Sequence, residues 1–175
     1  ALPQQYVPLQ IADLGCGLGG SLFYLADHLQ AEFTGVGLTI SPMQARLAHQ
    51  RMANLDVSSN ASMPMRNIYF LEGDFFHVPL QSGFDAVYSI EAFCHAPAAQ
   101  PYLTEVARLL RPGGRWIICD DFLSAPAPST QQPPPEQQFW LNAYQDGWRV
   151  PNIHSVSDIV RMAQAVGLHL VSDTP

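Results

Sequence analysis

Four glycines crowd the stretch IADLGCGLGG, residues 11 to 20, directly behind a short apolar run. A buried strand that meets so bare a backbone must turn sharply. The residues beyond the turn (Leu22, Phe23, Leu25, Ala26 and Leu29) recur at helical spacing. LQIADL therefore reads as a strand, the glycines as a loop and the next segment as a helix. Gly15, Gly17 and Gly20 satisfy the G-x-G-x-x-G pattern of dinucleotide-binding turns. Asp13 and the denser Gly15-Gly17-Gly19-Gly20 cluster equally suit a nucleoside without phosphates. Both ligands stay open on this segment alone.

The rest of the chain repeats the alternation. FTGVGL reads as a second strand. SPMQARLAHQRMA follows as a helix with Ser41 as N-cap and Pro42 at its first position. NIYFLEGD and FDAVYS read as strands three and four. PYLTEVARLL is a helix, RPGG a turn and RWIICDD a fifth strand. The proline-dense SAPAPSTQQPPPEQQ reads as a loop. In FWLNAYQDGW a short helix would put Trp140, Tyr144 and Trp148 on one face at i, i+4, i+8, either facing a substrate or as plain core. SVSDIVRMAQAVG is a helix ending near Gly167, and LHLVS a sixth strand. Strands alternating with helices imply an α/β fold, a doubly wound, mostly parallel sheet with helices on both faces.

The 175 residues suffice for one domain, with 124–150 a proline-rich loop and an aromatic helix facing the substrate. No window approaches the ~18 uninterrupted apolar residues of a membrane span. No secretory leader opens the chain, so the expected compartment is the cytoplasm. Cys16, Cys94 and Cys119 are an odd set without a C-x-x-C pair, which speaks against a disulfide framework and a zinc site. The net charge is −7 and none of the eight basic residues is lysine. That removes a Walker lysine and Schiff-base chemistry, and it disfavours nucleic acid and leaves a small-molecule substrate. The chain opens without methionine and reaches its glycine loop almost at once, so it is expected to be truncated at both ends.

Read together, IADLGCGLGG, GLTISPMQ, LEGD, FDAVYSIEAFCH and LLRPGG resemble the class I S-adenosylmethionine-dependent methyltransferases. The resemblance runs in order over nearly the whole chain. It implies a Rossmann-like sheet, S-adenosyl-L-methionine as cofactor, and a loop of Asp13, Gly15, Cys16 and Gly17 against the cofactor's methionine part. Where many relatives end the second strand with an acid for the ribose hydroxyls, this chain has Thr39. A nicotinamide-binding protein would also want an acid about 20 residues after its loop, and Glu32 falls too early. The T-I-S-P-x-Q form is similar to a subgroup that includes tocopherol, cyclopropane-lipid, sugar and glycine-type enzymes, where Thr39 and Gln44 inherit the ribose. Ser41-x-x-Gln44 is also a capping box. Asp74 resembles the acid that accepts from the adenine amino group, with Phe75 beside the ring. Ser89 or Ile90 would offer a backbone carbonyl to the cofactor's ammonium.

The segment SIEAFCH ends strand four beneath the expected methyl group. Glu91 and His95, four apart, share a face if the segment coils. A histidine can accept a proton near neutral pH, which suits a base for a hydroxyl or amine nucleophile. Asp120 and Asp121 end strand five, and Asp121 is expected to pair with His95. Cyclopropane-forming relatives carry a glutamate where this chain has Cys94, which sets that chemistry aside. The expected reaction is methyl transfer to a small organic molecule, O-methylation first and N- or C-methylation second. A nicotinamide-dependent oxidoreductase and a catalytically silent cofactor-binding module are the alternatives from other classes.

Overall fold

Strands buried on both faces need apolar or small residues at consecutive positions rather than at alternate ones. LQIADL, apart from Gln10 and Asp13, and FTGVGLT meet that demand and form β1 (Leu9–Leu14) and β2 (Phe33–Thr39). The computed structural model describes residues 7–58, 66–124, 134–151 and 153–173. Among these, β3 (Arg66–Glu72), β4 (Phe84–Ile90) and β5 (Leu110–Cys119) complete one parallel sheet in the order β3-β2-β1-β4-β5. The first three strands step outward in one direction. The chain then returns to lay β4 on the free side of β1, so the order reverses between β1 and β4. In open α/β sheets that switch point is where ligands bind, beyond the strands' carboxyl ends.

Helices cover both faces. On one, α1 (Gly20–His28) and α2 (Pro42–Ser58) bury Leu22, Phe23, Ala26 and Ala48 against Ile11, Phe33, Ile68, Phe70 and Tyr88. Gly35 lets α1 sit close, since a Cβ there would come within 2.9 Å of Leu22. On the other face, α3 (Ala99–Leu109) and α5 (Val156–Ala165) pack on Ala12, Leu14, Val36, Leu38 and Val87. Tyr102, Leu103, Val106 and Leu109 of α3 are fully buried. Burying a side chain of this size contributes about 1.5–3 kcal/mol, so α3 is held by its apolar stripe. The helix α4 (Pro135–Trp148) differs: none of its residues is buried, and Phe139, Trp140 and Trp148 are 63–68 % exposed.

Three sequence expectations change. LHLVS forms no strand, and Leu170 and Val171 stand exposed. A strand needs a neighbour's N–H and C=O groups, and among the described residues the outer edge of β5 pairs with nothing. The turn RPGG lies within the span of β5: Phe84 pairs with Leu110 and Ala86 with Arg115, so Arg111–Gly114 loop out of register with Gly113 at φ 79°. The aromatic face of α4 is not core. Most of the proline-rich loop, 125–133, lies outside the described residues, as do residues 1–6. No helix among the described residues is long and apolar enough to cross a membrane.

Candidate active site

The glycine loop at the end of β1 is tied down from two sides. The Asp13 carboxylate is buried at 2 % exposure and accepts a hydrogen bond from the Ser21 hydroxyl on α1. Its register partner on β4 is Tyr88, whose buried hydroxyl faces Asp13 and Ser21 without completing a hydrogen bond to either. Burial outweighs the Ser21 hydrogen bond and pushes the Asp13 carboxyl up to about 6. The main-chain amides of Gly15 and Cys16 both donate to the Leu38 carbonyl, at 2.8 and 2.9 Å. The loop is thereby locked onto the end of β2. The Cys16 side chain turns into the core, where burial pushes its thiol up to about 12, and the thiol also donates to the Gly17 carbonyl at 3.7 Å.

Two glycines of the loop answer to different demands. Gly15 has φ 94°, and a Cβ there would overlap the Ala92 side chain after β4. Gly17 has φ 54° and nothing within 4 Å of where its Cβ would stand. The protein itself requires the first. The second keeps open a space that the fold does not fill.

At the end of β2, Thr39 is buried and its hydroxyl donates to Gln44 Oε1 at 2.7 Å while accepting from the Ser41 amide at 3.2 Å. Gln44 is brought to the strand end, with its side-chain NH2 group left to serve as a donor. Its own amide donates to Ser41 Oγ at 3.3 Å, so half of the capping box forms as well. Glu32 lies before β2, at the opposite edge of the sheet, where no ligand of this loop could reach it. After β3, Asp74 is exposed; one carboxylate oxygen accepts from the Phe76 amide at 2.9 Å and its carbonyl from the His77 amide. Among the described residues the second oxygen makes no hydrogen bond. Phe75 is half-buried and packs edge-on against Tyr102 at 5.4 Å.

Beyond β4 the arrangement departs from expectation. Ser89 is fully buried and donates from its hydroxyl to the Leu14 carbonyl at 3.0 Å, which clips β4 to β1 at the switch point. Ile90 is half exposed. Glu91 adopts a left-handed φ of 48°, which turns the chain out of the strand. Only one 3-10 turn follows, Phe93–His95, so Glu91 and His95 do not share a helical face. Asp120 holds that turn: one oxygen accepts from the Ala92 and Cys94 amides, both at 3.1 Å, and the other from the Asp121 amide at 2.9 Å.

The expected pairing of Asp121 with His95 is not formed. Asp121 accepts a 2.5 Å hydrogen bond from the Tyr144 hydroxyl of α4, and His95 is exposed with Nδ1 3.4 Å from the Arg149 carbonyl. The reason is reach. Asp120 and Asp121 follow one another at the end of β5, and the main-chain amides of the turn claim the first while α4 claims the second. Sequence reasoning missed Ser21, the anchoring role of Asp120 and the Arg149 carbonyl. A serine in the first turn after a glycine loop is a usable signal for Ser21. A backbone carbonyl carries none.

Asp13, Thr39 and Ser89 at the carboxyl ends of their strands and Asp74, Glu91, His95 and Asp121 just beyond them lie where the sheet reverses order. The chain matches the family profile described as "Methyltransferase domain" over residues 12–118. It belongs to that family. Tocopherol O-methyltransferase of Arabidopsis thaliana is 34% identical over 163 residues, which cover 91% of this chain and 43% of that protein. The 24-methylenesterol C-methyltransferase 3 of Arabidopsis thaliana is 28% identical over 170 residues, 94% of this chain and 43% of that protein. A solved structure of geranyl diphosphate methyltransferase in complex with SAM matches with a TM-score of 0.68 at 20% identity, over 92% of this chain and 59% of that one. That likeness concerns the fold, a parallel sheet with helices on both faces. The chain spans less than half the length of the curated relatives named here. Among the described residues, the space beside Gly17, the NH2 group of Gln44 and the second Asp74 oxygen remain after the fold's own hydrogen bonds are made.

Proposed function

We propose that this domain is the catalytic part of an enzyme that methylates a hydroxyl of a small organic molecule, with His95 as the proton acceptor. S-adenosyl-L-methionine is the family's cofactor, and when bound it supplies an electrophilic methyl group on a sulfonium. What carries the reading is a juxtaposition: the open side of Gly17 and the exposed His95 follow adjoining strands, β1 and β4, at one edge of the sheet. Gly17 leaves the room, Gln44 offers its NH2 group to the ribose, and Asp74 accepts from the adenine amino group. The Ser89 and Ile90 carbonyls border the same strand end, within reach of an ammonium. His95 draws the proton from the acceptor as its oxygen becomes nucleophilic. Position supplies much of the remaining advantage.

An acidic chain without lysine supports a small molecule over nucleic acid. Three free cysteines suit a reducing compartment such as the cytoplasm, and residues 1–175 serve as one cofactor-binding domain. The relatives named above include an O- and a C-methyltransferase. Transfer to carbon or nitrogen is the second reading, favoured by the Tyr144–Asp121 bond, which leaves His95 without a carboxylate partner. The test is single-turnover methyl transfer to a panel of phenols and sterols across pH, with S-adenosylhomocysteine affinity measured by calorimetry. General-base help is typically worth about 10²–10⁴-fold, so His95→Ala should slow transfer by that much and leave cofactor affinity nearly unchanged. Full rate with the parent's pH profile would move the reading to carbon or nitrogen. Binding of NAD with no response to S-adenosylhomocysteine would end it.

A further inference from the structure

The helix α4 buries none of its residues, yet two of its groups reach back across the sheet to the acceptor side. Tyr144, half-buried, donates its hydroxyl proton to Asp121 at 2.5 Å. One turn further on the helix ends at Arg149, which adopts a left-handed φ of 57° and whose amide closes on the Gln145 carbonyl. That left-handed cap lies where the Arg149 carbonyl approaches His95 Nδ1, at 3.4 Å. The next residue, Val150, is buried at 2 % exposure and its amide also donates to Gln145. The cap is therefore pinned on both sides: by Tyr144 toward β5 and by Val150 toward the core.

A carbonyl oxygen can only accept, so the contact has one polarity. Nδ1 must carry a proton, and in the neutral ring Nε2 therefore keeps its lone pair. Among the described residues Nε2 makes no hydrogen bond. We propose that α4 is the positioning element of the site, its Arg149 carbonyl setting the tautomer of His95 and the Tyr144–Asp121 hydrogen bond holding that carbonyl in place. Tyr144 and Arg149 are positioning residues; neither touches a reacting atom. The hydrogen bond to the Asp121 carboxylate raises the phenol's ionisation well above the usual tyrosine range. The expected role of Asp121 thus survives in altered form: it orients His95 through α4 and not by direct contact.

The proposal rests on His95 as proton acceptor for its functional meaning, but its test does not need the acceptor molecule. Long-range ¹⁵N–¹H spectra of the full chain report which ring nitrogen of each histidine is protonated, and His95→Gln identifies the His95 signals by their loss. The parent should show His95 with Nδ1 protonated. Losing a neutral hydrogen bond changes such a balance by roughly 2- to 10-fold. Tyr144→Phe, which keeps the ring on an exposed helix, should shift the His95 tautomer ratio by that factor and leave the other histidines unmoved. Arg149→Val, whose β-branched side chain resists the left-handed cap, should shift it likewise. Arg149→Gly retains both the cap and the carbonyl and should keep the parent ratio. A parent His95 protonated on Nε2 overturns the proposal. So does a ratio untouched by Tyr144→Phe and Arg149→Val, or one lost in Arg149→Gly. The two failures are separable. If His95→Ala keeps full transfer rate while the tautomer responds as stated, the proton-acceptor reading falls and the positioning by α4 stands.

Discussion

The two halves of the site are built by different means. On the cofactor side, Asp13, Thr39 and Ser89 are each 4 % exposed or less, and their side chains bond within the sheet or to the first turns of α1 and α2. On the acceptor side, His95, Glu91 and Asp121 are exposed. They depend on a single 3-10 turn and on a helix that buries nothing. The first half inherits its rigidity from the core. The second has to be assembled from contacts between distant parts of the chain, and it can be adjusted without unfolding the sheet.

The sharpest way to break the contrast is within the glycine loop. Gly17→Val should abolish S-adenosylhomocysteine binding in calorimetry, yet cost the fold only the ~1–2 kcal/mol of a left-handed non-glycine residue, seen as a small drop in thermal midpoint. Gly15→Val should instead unfold or severely destabilise the protein, because clash with Ala92 adds to the same strain. If both variants melt alike and both still bind, the distinction between a glycine for the ligand and a glycine for the fold is wrong.

Next in size is the pH response of Asp13. Its folded-state value of about 6 lies above the ordinary 3.8, so the folded chain holds a proton that the unfolded chain has released. Its contribution is most favourable below pH 3.8 and is lost as pH rises toward 6. The loss amounts to about 3 kcal/mol, because each tenfold difference in proton affinity between the folded and unfolded chain is worth about 1.4 kcal/mol. Asp13→Asn can still accept from Ser21 and cannot ionise. Urea titrations from about pH 4 to pH 7, which bracket that loss, should show the parent losing stability relative to this variant. Parallel curves would mean that Asp13 titrates like a surface acid.

Asp74→Asn probes the exposed edge of the cofactor side. The substituted amide can keep the bond from the Phe76 amide but turns a donor toward the adenine amino group. Affinity for S-adenosylhomocysteine should fall by about 1.5–3 kcal/mol, the worth of a charged hydrogen bond, with the melting curve unchanged. Equal affinity would reduce Asp74 to a residue that shapes its turn. Smallest is Thr39→Ala, which frees Gln44 and removes an acceptor from the Ser41 amide. A neutral hydrogen bond is worth about 1 kcal/mol, and calorimetry should record a loss of that order. A loss as large as that of Asp74→Asn would place Thr39 in direct contact with the cofactor.

Legibility followed the same division. β1 has the bounds of the LQIADL segment before the glycines, α2 begins at Ser41-Pro42, and α5 has Ser155 as its cap with the Asp158 amide as donor. These are signals carried by neighbouring residues. LHLVS has the composition of a strand but gains no partner, and the aromatic residues of α4 have helical spacing without a surface to bury them. Composition states what a segment would form if a neighbour were supplied. It does not supply the neighbour.

By itself, then, the sequence determined the parallel α/β architecture, the glycine loop and the set of polar residues that follow each strand. Hydrophobic periodicity, turn chemistry and caps act within about a dozen residues, so they can be read in order along the chain. Only the tertiary structure decided that Asp13 lies buried beside Tyr88, that Asp120 holds the turn of His95, and that Asp121 belongs to Tyr144. Each of those contacts joins residues 23 to 75 positions apart. Which groups meet across such distances depends on how the helices and loops pack on the finished sheet, and several acids at one edge compete for the same few donors. The His95 contact with Arg149 spans 54 positions and ends on a main-chain oxygen, an atom that every residue has and no residue type announces.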